Sequence, residues 1–311
     1  MVEQQQQTGP KPELDDLLEL RHQARALGLA SNHLVNTTFS GLYASVFRGT
    51  GLDFDEVREY REGDDVRNIE WNVTARTNSP HLKIFREERE RNVFLCIDQG
   101  AHMSFGTRNT FKSVQAARAA ALLGWAANNL HDRVGGMLFG NPSKGPQYFR
   151  PTRGRRALWR LLNSLSQPAD TESVGCLSMA LQRVERGAGT GSLIFVIADF
   201  NQDMEGLDIV LGRLCLRHSV ILLPVDDPAD QHLPDMGKVT FHNAEGETVT
   251  VDTSNTSGRK AYEDAWHERR TRLRAMAARL GVAVIPLSTD EDVHLSVMRG
   301  LKLRASEQSV R

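Results

Sequence analysis

Short apolar runs that each stop at an acidic residue, separated by helix-patterned stretches, constrain this chain more than any other feature. Val93–Ile97 runs into Asp98, Leu193–Ala198 into Asp199, and Val220–Val225 into Asp226-Asp227. A strand that is apolar at every position must be covered on both faces, which is the situation in a mostly parallel sheet flanked by helices. The intervening segments supply those helices. Thr110–Leu130 is long and Ala/Leu-rich, Arg155–Leu165 and Leu177–Glu185 are amphipathic, and Leu207, Val210, Leu211 and Leu214 fall at helical spacing. Arg133–Phe139 predicts a further strand, Tyr148–Arg150 a short extended piece, and Lys238–Phe241 with Thr248–Asp252 a hairpin. Ala261–Leu280, Val282–Pro286 and Glu291–Leu301 read as helix, strand and helix. The expectation is a doubly wound, mostly parallel α/β domain over residues 91–303, followed by a tail at 304–311.

Ahead of that domain the texture differs. Residues 1–12 are polar and Gln-rich, the composition of a disordered tail. Leu14, Leu17, Leu18, Leu20 and Ala24 predict a short helix, and residues 13–90 group it with a charged β-hairpin region. In that region Ile69, Trp71 and Val73 alternate with polar residues, as do Leu82 and Ile84. Thr77-Asn78-Ser79-Pro80 supplies a turn between them, so these runs are expected to form a β-hairpin or small sheet, preceded by a turn at Gly63-Asp64-Asp65.

The net charge of -1 gives no global attraction to a polyanion, so nucleic acid is not an expected partner. The one local exception is a group of arginines, Arg153, Arg155, Arg156 and Arg160, opening a predicted helix. No apolar run reaches the roughly 18–20 residues of a membrane span, and the N-terminus lacks the pattern of a secretory leader. Cys96, Cys176 and Cys215 show no metal-like spacing and read as reduced core thiols. Together these points lead to a cytoplasmic expectation.

In open α/β sheets ligands gather beyond the carboxyl ends of strands, where the strand order reverses. With the common order, the first and fourth strands become neighbours about 4.8 Å apart, bringing Asp98 and Asp199 together. Two carboxylates so placed suit a hard divalent cation, while strand-end aspartates also serve as caps and turn formers. Asp226, Asp227, Asp230 and His232 have the chemistry of metal ligands, but a solvated loop after a strand explains them better. No catalytic nucleophile–base pair stands out.

The segment Gly51–Glu88 carries a long ordered signature. Gly-Leu-Asp-Phe-Asp-Glu-Val-Arg-Glu-Tyr is followed by Gly63-Asp64-Asp65-Val66-Arg67-Asn68-Ile69-Glu70-Trp71, then Thr74-Ala75-Arg76, with Lys83, Phe85, Glu87 and Glu88 completing it. In these residues, and on through Val93–Gly140, the chain resembles domain-of-unknown-function family 58, whose members accompany MoxR-type AAA+ ATPases. The resemblance implies a von Willebrand factor A-like fold and a non-enzymatic adaptor working with such an ATPase on assembly or maturation of other proteins.

Domains of that type commonly carry a metal-ion-dependent adhesion site. The first element, D-x-S-x-S, falls here on Asp98-Gln99-Gly100-Ala101-His102, so Gly100 and His102 replace both serines. The threonine of the second element falls on Gly175, with Thr171 and Ser173 nearby, and Asp199 matches the third. The implied site is a degenerate one built from Asp98, His102, Thr171 and Asp199, binding Mg²⁺ weakly or, through His102, favouring Mn²⁺ or Zn²⁺. A metal-dependent hydrolase using Asp98, Asp199 and His102 is the competing reading. The interaction signature is Arg58, Tyr60, Gly63, Asp64, Asp65, Arg67, Trp71 and Arg76, either an interface with a partner or a clamp onto the sheet domain.

Overall fold

The structure is a computed structural model and describes residues 11–29, 53–60, 69–77, 79–86, 92–141, 145–167, 177–201, 204, 206–242 and 248–309. Contacts divide the chain into two compact units, Arg48–Arg91 on one hand and Met1–Phe47 with Asn92–Arg311 on the other.

In the larger unit, helix α1 spans Leu14–Leu29. Its Leu17, Leu20 and Ala24 are buried in the same core as the sheet, and the Trp125 indole donates to the Leu17 carbonyl at 3.0 Å. In the smaller unit, β1 (Asp53–Glu59) pairs antiparallel with β2 (His81–Arg86), and α2 (Trp71–Thr77) lies between them in sequence. This corrects the pairing expected from alternation. Ile69–Val73 is not a strand: only Ile69 bridges Leu82, and the chain turns helical at Trp71. The longer β1 takes the ladder positions on β2. The start of α2 is fixed instead by Thr74 N–H donating to the Glu70 carbonyl, while the Thr74 hydroxyl accepts from the His81 amide at 2.9 Å. An alternation of three residues is too short to outweigh those bonds.

The main sheet comprises β3 (Asn92–Asp98), β4 (Arg133–Phe139), β5 (Gln147–Thr152), β6 (Leu193–Ala198) and β7 (Ser219–Asp226). A separate antiparallel hairpin of β8 (Lys238–His242) and β9 (Thr248–Asp252) follows, as expected. Two short strands then complete the sheet, β10 (Ala283–Val284) and β11 (Leu287–Ser288), both on β7. The strand order is β10-β7-β6-β3-β4-β5, parallel throughout except for β5 against β4. The order reverses between β3 and β6, so the first and fourth strands of the predicted series are neighbours.

Helices α3 (Lys112–Asn129), α4 (Arg155–Leu165), α5 (Leu177–Gly187), α6 (Leu207–Cys215), α7 (Pro228–Gln231), α8 (Thr256–Arg279) and α9 (Val293–Ser309) supply the covering layers. Val93, Leu95 and Ile97 point to the core shared with α1, α3, α4 and α9. Phe94 and Cys96 point to the opposite core with α5, α6 and α8. Every residue of β6 is buried, which its unbroken apolar run required. Cys96 and Cys215 are free thiols, and Cys176 lies outside the described residues. Among the described residues, no helix is long and apolar enough to cross a membrane.

Candidate functional site

The switch point places four loops at one rim: Gln99–Phe111 after β3, the turn at Gly140 after β4, the segment after Asp199, and α7 after β7. Asp98 and Asp199 stand at the ends of the adjacent strands and are each 3% exposed. Buried carboxylates require donors, and each has them. One Asp98 oxygen accepts from the Gly100 amide at 2.8 Å, and the other meets His102 Nε2 at 2.9 Å. Asp199 accepts from the Asn201 amide at 3.0 Å and lies 3.7 Å from the same His102 nitrogen. His102 thus bridges the two aspartates.

Gly100 is what lets His102 do so. A Cβ at position 100 would fall 2.4 Å from His102 Cε1 and 2.7 Å from Nδ1. Gly140, at φ +90, presses on the same point: a Cβ there would lie 2.5 Å from the Gly100 amide nitrogen and 2.7 Å from Asp98 Oδ1. The two glycines bring the ends of β3 and β4 into backbone contact, and the imidazole takes the space a side chain at 100 would need.

A second cation completes the arrangement. Lys112, the first residue of α3, is 2% exposed. Its ammonium lies 2.7 Å from Asp230 Oδ2 and 3.6 Å from Asp199 Oδ2, beneath the half-exposed Phe105 ring at 5.4 Å. A cation at the start of a helix opposes the helix dipole, so these carboxylates, and not the helix, account for its position. Burial raises the Asp98 carboxyl, with the His102 bond and the Gly100 amide offsetting only part of it. Burial also works to lower His102, but the hydrogen bond and charge of Asp98, and the charge of Asp199, outweigh it and raise the imidazole above its ordinary value. Burial likewise raises Asp230, with Lys112 opposing.

The loop after β7 is built in, which corrects its reading as a solvated segment. Asp227 is buried and caps α7, accepting from the Ala229 amide, the Thr107 amide and hydroxyl, and the Thr289 hydroxyl. Burial would raise this carboxyl; the bonds from Thr107, Thr289 and Ala229 prevail and hold it below the usual range. Asp226 pairs with Arg270 of α8, whose guanidinium also donates to the Asp199 carbonyl at 2.6 Å and the Phe200 carbonyl at 3.4 Å. Phe200 is left-handed at φ 52, a conformation a bulky residue holds only when its surroundings fix it. His232 faces Glu263 at 3.3 Å, away from this set.

The sequence reading singled out Asp98, His102 and Asp199, and the structure brings these three together; Thr171 lies outside the described residues. Lys112 and Arg270 were missed, and Asp230 was read as solvated. Lys112 left one signal, a lone lysine in the first turn of an Ala/Leu-rich helix. A divalent cation between Asp98 and Asp199 would have to displace contacts both residues already make. It would gain no oxygen at position 100, and position 102 offers a ring nitrogen already used by Asp98. Asn201 Oδ1, just after β6, is buried without a hydrogen-bond partner among the described residues. Among the described residues, no group of three or more His, Cys, Asp or Glu is arranged to hold a metal ion. These residues do not fit a resident metal.

In the smaller unit, Tyr60 donates its amide to the Pro80 carbonyl, Trp71 is 69% exposed on α2, and Arg76 is exposed in its last turn. Arg58 sits on β1 opposite Leu82. Gly63, Asp64, Asp65 and Arg67 lie outside the described residues.

A family profile described as "Protein of unknown function DUF58" matches residues 56–272. Proteins of Mycobacterium tuberculosis and Mycobacterium bovis, both described as uncharacterized, are 28% identical over 279 residues, 88% of this chain and 86% of theirs. Among solved structures, the SpRpn10 VWA domain aligns with 68% of this chain and 94% of its own length, at 10% identity and a TM-score of 0.39. The pilus adhesin SpaC of Lactobacillus rhamnosus GG aligns with 71% of this chain and 31% of its own, at 11% identity and a TM-score of 0.37. Likeness at that level bears on neither function nor partner.

Proposed function

The chain belongs to the family described as a protein of unknown function, DUF58, and from that premise we propose that it is a non-catalytic protein-binding module. It works with a MoxR-type AAA+ ATPase on the assembly or maturation of other proteins, and its rim is a degenerate metal-ion-dependent adhesion site. The carrying observation is the rim itself. Asp98 and Asp199, the aspartates of an adhesion-type site, are held by His102 and Lys112 of the same chain. Binding at this rim therefore proceeds through loop shape and hydrogen bonds, without a bridging metal. Phe105, Thr107 and Arg108 are exposed on the loop that carries His102 and supply the outward surface.

Domain boundaries follow from the same reading. The partner-facing signature belongs to residues 13–90, where exposed Trp71 and Arg76 share α2, and the rim to residues 91–303. A cytoplasmic location suits the ATPase partner. A hydrolase reading asks Asp98, His102 and Asp199 to hold a metal and activate water, whereas the three are engaged with one another and with Lys112.

The test is capture of the cell's AAA+ ATPases on the immobilised full chain, with ATP, with ADP and without nucleotide. Capture of a MoxR-type ATPase in at least one state, reduced by Trp71→Ala or by Phe105→Ala with Arg108→Ala, is expected. No such ATPase captured by the wild-type chain in any state removes the proposal.

A further inference from the structure

Residues 133–169 contain seven basic side chains and no acidic one, in a chain whose net charge is -1. Four of these charges lie in the turn after β5 and on α4, and α4 sets three of them on one face. Arg150 is exposed on β5, the outer strand of the sheet, and Arg153 follows it in the turn into α4. On α4, Arg155, Trp159, Arg156 and Arg160 are all exposed, and helical spacing sets them side by side in that order around one face. Trp159 is 44% exposed between its arginine neighbours. The opposite face of the helix buries Leu158, Leu161, Leu162 and Leu165.

Stability does not account for this surface. Cations in the first turn of a helix oppose its dipole, and α4 has no acidic residue in its own sequence to pair with them. Arg150 and Pro151 by themselves would be explained as guards of an exposed sheet edge. Arg155, Arg156 and Arg160 guard no edge. A large aromatic left in water among arginines is the composition of a protein-binding hot spot, in which Trp and Arg dominate.

We propose that this face of α4 docks an acidic segment of a partner protein, with carboxylates taken by Arg155, Arg156 and Arg160 and an apolar side chain seated on Trp159. Guanidinium forks match carboxylates in bidentate geometry. A single aromatic on a convex helix offers no groove to track a nucleic-acid backbone and no series of platforms for successive bases. The inference concerns a surface apart from the Asp98 rim and stands or falls separately from the ATPase reading.

The test uses the full chain and fluorescence anisotropy with three probes: a short labelled Glu/Asp peptide carrying one Leu, single-stranded oligothymidylate of equal length, and phosphatidylserine vesicles. Salt-sensitive peptide binding is expected, weakened about tenfold or more (roughly 1.4 kcal/mol) by Arg155→Glu with Arg156→Glu and Arg160→Glu. Trp159→Ala should weaken it at unchanged net charge. Arg213→Glu with Arg272→Glu and Arg279→Glu makes the same change of charge at exposed arginines elsewhere and should leave binding intact. Thermal melts confirm that each variant folds. The proposal is overturned by absent peptide binding, by equal loss in the control triple, or by tighter binding of oligothymidylate or vesicles than of peptide.

Discussion

At position 100 a side chain has nowhere to go while His102 keeps its ring between the two aspartates. Gly100→Ser should destabilise the fold by about 1–3 kcal/mol, the usual cost of overpacking. Adding His102→Ser should recover most of that loss, because it removes the ring the new side chain meets; urea denaturation of both singles and the double gives the coupling. The same imidazole sets a pH dependence. Its folded value is raised above the ordinary 6.5, so the folded state holds the proton more tightly than the unfolded chain. That contribution is complete below about pH 6.5 and is lost as pH rises through the folded value. Thermal melts should therefore show a decline above pH 6.5 in the wild type that flattens in His102→Gln; an identical profile in the two proteins would contradict the raised imidazole. Of these residues, Asp98, His102 and Asp199 could be found from the strand ends and the family pattern. The dependence of His102 on Gly100 could not, because it rests on where the ring lies in three dimensions, 2.4 Å from the place a Cβ at position 100 would take.

Among the elements, α3 brings a buried ammonium to the rim. Removing one partner of a buried ion pair leaves the other uncompensated, at a cost of about 3–5 kcal/mol. Lys112→Met should cost stability in that range, and Lys112→Met with Asp230→Asn should cost less than Lys112→Met alone, since one of the orphaned carboxylates is gone. Equal stability of the single and double variants in urea would show that the Lys112–Asp230 contact is not an energetic pair. The same element scale explains which parts of the fold were legible. Continuous apolar strands and long amphipathic helices write their periodicity into the chain, and β3, β4, β6, β7, α3 and α8 were all visible in it. The segment Ile69–Val73 was misread because three alternating residues fit a strand and a helical turn equally. Asp227 and Asp230 looked like solvated loop because their partners, Thr107, Thr289 and Lys112, lie far away in sequence.

For the molecule as a whole, cations supplied by its own side chains should leave the rim indifferent to divalent ions. Melting temperatures in EDTA, in Mg²⁺ and in Mn²⁺ should agree closely; a rise of several degrees with either metal would mean that Asp98 and Asp199 exchange His102 and Lys112 for the ion. Arg270 carries a different consequence. It belongs to α8, yet it binds the carboxylate that ends β7 and two carbonyls just beyond β6. The rim is assembled from strands that end by Asp226 and is latched by a residue of α8, which begins at Thr256. A fragment stopping before Thr256 would retain the strands bearing Asp98 and Asp199 but lose the latch that holds Phe200 in its left-handed turn. During synthesis the rim would thus stay unfinished until α8 has docked, and on the proposed reading a partner that binds there would distinguish a chain with α8 in place from one interrupted before it.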